Sequence, residues 1–542
     1  MTDNEQRPKL QTRLPLLLAA TLALGMFIGQ KLPHYDRNFS LKSHNSARSG
    51  TLDEILRYVE AKYVDTVDIE SLRATAIDHL LDGLDPHSVY ISPDELKAVE
   101  DDMNGAFEGV GIEFIILDDT IQVVAPLSGG PSEIAGILAG DKIVSINDTV
   151  IAGIKIETGK IYNKLRGPKG TTVKVGILRG RETALRFFEV MRDVIPVKSV
   201  DAAYMLDGQT GYIRVAHFNG NTYQEFMQNL TPLVEDVGMK SLVLDLRGNP
   251  GGYLEEATEM LSQLFPEGKL LVYTKGRVGQ RKDYKSNGRA RFDIQNVAVL
   301  IDEGSASASE IVAGAVQDWD RGWVIGRRSF GKGLVQEQYP LSNGGAMRLT
   351  VSRYFTPSGR CIQRDYKQGQ DYDHEAERRL VNGELSNAAK IQQADTTKYY
   401  TGQGRIVFGG GGITPDVFIP IDTSFSSTYF TALRQQIPQF LSRWMEGQNR
   451  ANMSSALPEF VQNYTVSDQI LEELASYAEK QGTKKNPAEL AKCRPELKLH
   501  LKARLAKTLF GDEGLYKVLN DDDPAVEKAI QVLKSGQPVA KR

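Results

Sequence analysis

Residues 296–315 read NVAVLIDEGSASASEIVAGA, and the two halves of this stretch differ in pattern. Asn296 to Ile301 is a short apolar run of the kind a buried strand shows, Ser307 to Ala315 reads as a helix, and Asp302 to Ala306 turn the chain between them. The alternation extends outward. From Ser199 to Pro420 strands and helices follow one another, as in layered α/β folds. A serine at a strand-to-helix junction points its hydroxyl at a cleft, and the helix N-terminus favours negative charge developing beside it. A nucleophile suits that position, but Ser305, Ser307 and Ser309 all suit simple helix capping as well.

A partner for the serine is offered by residues 326–336, GRRSFGKGLVQ, where Lys332 stands between two glycines ahead of a strand-like run. The segment matches GxxxxGK, yet Gly333 occupies the place of the magnesium-binding Ser or Thr and no helix follows, which argues against a phosphate loop. Only a neutral lysine can deprotonate a serine, so its pKa has to drop by about 3, a cost of roughly 4 kcal/mol that burial can supply. The flanking glycines permit such dry packing. Of the seven histidines, His217, after the strand Gly211 to Val215, is the rival base. Glu310, one turn beyond Ser307, either orients the site or is an ordinary first-turn acid. Acyl transfer also needs oxyanion donors, each worth about 2.7–4 kcal/mol where one has been removed. The Ala308 amide follows the serine directly, and Leu242 to Gly252 (LVLDLRGNPGG) is a buried strand running into a glycine turn.

A second module precedes this one. In Glu108 to Phe114 (EGVGIEF) two glycines stand before an apolar strand, so the amides around Gly109, Val110, Gly111 and Ile112 can converge on a carboxylate while an extended peptide adds to the strand edge. With AGILAGDKIVSIN at 135–147 and LRGPKG at 165–170, the region resembles a PDZ domain.

Taken together, GSASASEI and GRRSFGKGLVQ, with 25 positions from Ser307 to Lys332, resemble the carboxy-terminal processing peptidases, tail-specific serine proteases. The likeness runs from Leu52 to Pro420 and includes Leu84 to Ser88 (LDPHS) and Gly412 to Asp416 (GITPD). It implies a crotonase-like α/β protease core with an inserted PDZ domain, N-terminal helices and a helical C-terminal domain. It also implies Ser307 as nucleophile, Lys332 as general base and Gln336 as the lysine's support. The second oxyanion amide falls in the glycine turn, on Gly251 with Gly252 as the alternative, beside Ala308. The PDZ domain is expected to gate access to the serine, with Arg166 in the LRGPKG loop as the candidate carrier of that signal. No cofactor is implied, and no His, Asp and Glu cluster has metal-ligand spacing.

The length of 542 residues calls for roughly three or four domains. The expected division is an anchor or signal peptide at 1–33, a polar tether at 34–50, helices at 51–100, the PDZ domain at 101–192, the protease core at 193–422 and a helical accessory domain at 423–542. Lys and Arg number 65 against 69 Asp and Glu, which gives no reason to expect nucleic acid. Cys361 and Cys493 fall in different domains and form no disulfide framework. Leu14 to Gly29 is uncharged and follows Arg7, Lys9 and Arg13, so the chain is expected to be exported and anchored in the inner membrane facing the periplasm, or secreted if cleaved. The expected partners are protein or peptide substrates held by their C-terminal tails, with the C-terminal helices a candidate for homo-oligomer contacts. A noncatalytic PDZ scaffold or chaperone is the alternative function.

Overall fold

The computed structural model describes residues 50–536 apart from 128, 181, 367–371, 373, 426 and 447–455. The expected membrane anchor and nearly all of the tether lie outside these residues. Among the described residues no helix is long and apolar enough to cross a membrane.

At the N-terminal end, helices Thr51–Lys62 and Ile69–Asp82 form as their apolar spacing predicts, and Arg73 reaches Asp53 at 3.8 Å. Leu56 is buried, whereas Leu52, Ile55 and Tyr58 remain exposed.

The protease core is built on a six-stranded sheet in the order Val200–Met205, Thr210–Val215, Ser241–Asp245, Asn296–Ile301, Trp323–Gly326 and Val417–Phe418. Its first pair is antiparallel and the rest are parallel. Ser241–Asp245 and Asn296–Ile301 lack polar alternation because both faces of the sheet are covered. Helices Thr222–Glu235, Leu254–Ser262 and Ala308–Asp318 pack on one face, and Pro524–Ser535 lies on the other. The turns after the parallel strands, where open α/β sheets hold their ligands, carry both the serine and the glycine turn. A second sheet pairs Ala346–Phe355 with Val89–Ile91, Leu270–Gly276 and Leu334–Pro340. Leu334–Pro340 is the strand expected after Lys332.

The PDZ region has a separate sheet in the order Ile112–Leu117, Thr120–Pro126, Lys142–Ile146, Thr172–Leu178, Arg186–Met191, with its own apolar core. Ile112–Leu117 is an edge strand. The region joins the protease through an antiparallel ribbon, Ala106–Gly109 against Asp193–Pro196.

Helices Thr428–Glu446, Leu457–Asn463, Asp468–Lys480 and Pro487–Leu519 enclose a third core. The last of these kinks at Gly511 (φ 73°), and beyond the kink Val518 still packs in this core while Tyr516 packs against the protease sheet. Pro524–Ser535 does not belong to this bundle. Its stripe of Ala525, Val526, Ala529 and Leu533 packs on Tyr212, Val243, Ala298 and Leu300 of the protease sheet. The helical accessory region expected at 423–542 therefore divides between two cores.

Candidate active site

The turn after Asn296–Ile301 is fastened at both flanks of Ser307. Ser305 Oγ donates to the Leu246 carbonyl at 2.8 Å, and Ser309 Oγ donates to the Asn249 carbonyl at 3.0 Å. These two serines are structural. Ser307 stands at the N-cap of the helix Ala308–Asp318 with φ 53° and ψ −114°, a conformation that side chains avoid at a cost of about 1–3 kcal/mol. Unlike its neighbours, Ser307 is partly accessible.

One carboxylate joins this turn to the lysine loop. Glu310 is fully buried and accepts from the Ser307 N–H (2.9 Å) and the Lys332 N–H (2.8 Å) on one oxygen, and from Ser329 Oγ (2.5 Å) and the Gly331 N–H (2.7 Å) on the other. Two amides sharing one acceptor at these lengths lie within about 6 Å of each other. The Tyr354 hydroxyl adds a second tie, 2.5 Å from the Lys332 carbonyl and 3.1 Å from that of Ser307. Arg379 holds the loop from outside, its Nη1 donating to the carbonyls of Arg328 (3.0 Å) and Ser329 (2.8 Å).

Burial raises the Glu310 carboxyl from 4.5 to about 7 against the pull of its four donors. Burial, followed by the Arg348 charge, lowers the Lys332 ammonium, while Glu310 and Asp85 oppose the shift. Among the described residues Lys332 forms no ion pair, and the Ser307 and Lys332 side chains are not hydrogen-bonded to each other.

The glycine turn lies against the serine. A Cβ on Gly251 would stand 2.7 Å from Ser307 Cβ and 2.9 Å from the Ala308 nitrogen, and its φ of 97° already favours glycine. The buried Asn249 organises this turn, accepting the Gly251 N–H on Oδ1 (2.8 Å) and the Ala306 N–H on its carbonyl (2.9 Å). The Gly251 amide expected to meet an oxyanion is thus engaged within its own loop. At Gly252 a Cβ would come 1.9 Å from the Phe218 carbonyl, so only glycine fits there.

Gln336 donates to Thr350 Oγ1 at 3.2 Å, and Thr350 donates to Asp85 at 2.9 Å. Asp85 also accepts from Ser88 Oγ (2.6 Å), so the LDPHS segment is a structural brace beside the lysine. His87, in the same segment, is depressed from 6.5 to about 4 by burial and then by the charge of Lys332, which keeps it neutral near pH 7. Its Nε2 lies 3.0 Å from the Tyr372 hydroxyl. His217, the rival base, pairs with Asn219 at 3.1 Å and makes no hydrogen bond to Ser307. Tyr354 and Arg379 reach the site from distant segments that carry no motif, whereas Asn249, Asp85 and His87 lie inside the glycine-turn and LDPHS motifs without a role that the sequence assigns to them.

In the PDZ region Val110 and Gly111 are buried, and Gly111 turns the chain at φ 70°. Ser132 holds the Val110 carbonyl through its N–H (3.0 Å) and Oγ (2.6 Å), fixing the loop from Gly109 to Ile112 at the start of the edge strand. Arg166 lies over Phe107, 4.8 Å from the ring centroid. Phe107 belongs to the connecting ribbon, so Arg166 touches the joint between the two modules.

Residues 209–375 match peptidase family S41, residues 109–185 match the PDZ domain, and residues 432–511 match a family of unknown function. A carboxy-terminal-processing protease of Bartonella bacilliformis is 38% identical over 321 residues, covering 57% of this chain and 71% of that protein. The carboxy-terminal processing protease CtpB of Bacillus subtilis is 35% identical over 326 residues, covering 59% and 67%. Among solved structures, a photosystem II D1 C-terminal processing protease aligns at 31% identity and a TM-score of 0.33, covering 57% of this chain and 83% of that one. An α/β core with an accessible serine and an inserted PDZ domain defines the class, a serine hydrolase that handles peptides. The chain belongs to the carboxy-terminal processing proteases of peptidase family S41, and the noncatalytic alternative is not favoured.

Proposed function

We propose that this protease forms its acyl-enzyme on Ser307, with neutral Lys332 as general base and acid. Lys332 Nζ takes the hydroxyl proton as Ser307 Oγ attacks the scissile carbonyl, and returns it to the leaving amine as the C–N bond breaks. Water then loses a proton to Lys332 and adds to the ester, releasing the new carboxylate and restoring the serine. The oxyanion is met by the Ala308 amide and by one from the glycine turn: Gly252, or Gly251 once Asn249 releases it. Gln336, braced through Thr350, supports the lysine.

The observation that carries this reading is the single Glu310 oxygen accepting from both the Ser307 and Lys332 amides. The PDZ edge strand receives the substrate's C-terminal tail, and Arg166 at the ribbon carries tail occupancy toward the protease. Residues 1–33 anchor the chain in the inner membrane with its body in the periplasm, and the helical C-terminal region offers contacts between copies.

The test compares Ser307→Ala, Lys332→Ala and Lys332→Arg on an unfolded protein with an apolar tail. All three are expected to be inactive, since arginine does not deprotonate in proteins. Turnover at the parental rate in Ser307→Ala would remove the assigned nucleophile.

A further inference from the structure

The oxyanion loop is tied to a residue near the end of the chain. Arg247 lies between the strand Ser241–Asp245 and the glycine turn. Its Nε and Nη2 grip the fully buried Asp245 at 3.0 and 2.7 Å. Its remaining arm, Nη1, reaches Asp523 Oδ2 at 2.7 Å, across 276 positions of sequence. The Arg247 carbonyl is also fixed, by Arg214 Nη2 at 2.9 Å. Two residues further on, Asn249 holds both the Gly251 amide and the Ala306 amide ahead of Ser307.

Asp523 is itself rigidly placed. As the N-cap of Pro524–Ser535 its other oxygen accepts from the Ala525 and Val526 amides at 2.8 and 3.0 Å. That helix is seated on the sheet beneath the loop, with Ala529 fully buried. Asn520 donates to the Tyr204 hydroxyl at 2.8 Å and Arg214 lies over the Tyr516 ring at 4.6 Å, so the segment leading into the helix is fastened to the same sheet. An end of the chain whose own sequence carries no chemical motif thereby supplies a fixed anion to the base of the glycine turn.

We infer that Asp523 is a positioning residue for the reaction, setting the oxyanion loop through Arg247. The inference rests on the Ser307 mechanism proposed above. A guanidinium shared between two fixed carboxylates leaves Arg247 one orientation, and the glycine turn that follows inherits it. When the Asp523 charge is lost, Arg247 keeps Asp245 but gains freedom to pivot, and the donors drift from the developing oxyanion. Because such donors act on the transition state, kcat falls while KM is retained.

The discriminating variant in the full-length protein is Asp523→Asn, since asparagine caps a helix as well as aspartate but brings no charge to Arg247. We expect kcat to fall about tenfold with KM within about twofold of the parent, and a peptide aldehyde that adds to the serine to bind more weakly by the same factor. Binding of an uncleavable tail peptide stays unchanged. Arg247→Gln reproduces the loss, and the double variant is no worse than the worse single one. The inference is overturned if Asp523→Asn keeps kcat within about twofold, if its loss lies in KM alone, or if only Asp523→Ala, with a lowered melting temperature, loses activity. Ser307→Ala, assayed alongside, separates the two claims: turnover in that variant refutes the proposed nucleophile, whereas an inactive Ser307→Ala beside a fully active Asp523→Asn refutes only the role of Asp523.

Discussion

Replacing Glu310 with glutamine tests the centre of the site. The side chain is fully buried and its carboxyl is raised from 4.5 to about 7, chiefly by that burial. The folded protein therefore holds this proton more tightly than the unfolded chain, so Glu310 favours folding fully below about pH 4.5 and loses that contribution as pH rises toward 7. At 1.36 kcal/mol for each pH unit, the loss amounts to about 3 kcal/mol. His87, depressed from 6.5 to about 4, acts in the opposite direction over nearly the same range and masks the slope in the parent. The difference between parent and Glu310→Gln isolates it. Urea unfolding followed by the fluorescence of Trp319 and Trp323, in a Ser307→Ala background that excludes self-digestion, is expected to show the variant gaining about 3 kcal/mol on the parent between pH 4.5 and 7. Activity moves differently. A glutamine presents one acceptor oxygen to four donors, leaving at least one loop amide without a partner and loosening Ser307 against Lys332, so kcat falls at least about tenfold. Since the Glu310 charge raises the Lys332 pKa, its removal also shifts the acid limb of the residual pH–rate profile to lower pH. A stability difference that does not change with pH, together with an unchanged kcat, would refute the reasoning.

Two further substitutions probe the same constellation. Gly251→Ala puts a methyl 2.7 Å from both Ser307 Cβ and the Ala306 carbonyl at a φ that alanine avoids; kcat/KM is expected to fall about 100-fold or more with the far-ultraviolet dichroism unchanged, and parental kcat/KM would contradict the close approach. Tyr354→Phe removes the hydroxyl between the Ser307 and Lys332 carbonyls; a loss of about 1–3 kcal/mol in stability and a lower kcat are expected, read from urea midpoints and steady-state rates.

The nucleophile turn, the lysine loop, the following strand and the glycine turn were legible because each is a local pattern, a change of periodicity or a glycine at a fixed offset. Glu310 was not decidable from sequence, since an acid three residues into a helix serves a cap and a buried bridge equally well. That Ser305 and Ser309 fasten the turn while Ser307 stays accessible was likewise hidden, because Ser305 and Ser309 find their acceptors in Leu246 and Asn249, about 60 positions away. Tyr354 and Arg379 leave no local trace, and only the tertiary fold brings His87 to Lys332. Residues 423–542 read as one helical region because amphipathic spacing reveals that a face is buried but not against what. Pro524–Ser535 buries its stripe on the protease sheet rather than within the bundle.

The two-stranded ribbon that carries the PDZ region has a practical corollary. Ala106 and Pro196 are paired neighbours, so the chain leaves the protease core and re-enters it at one spot. A foreign recognition module whose ends lie equally close could be spliced there without cutting a core strand, and the enzyme's choice of targets could be rewritten while its hydrolytic machinery is left intact.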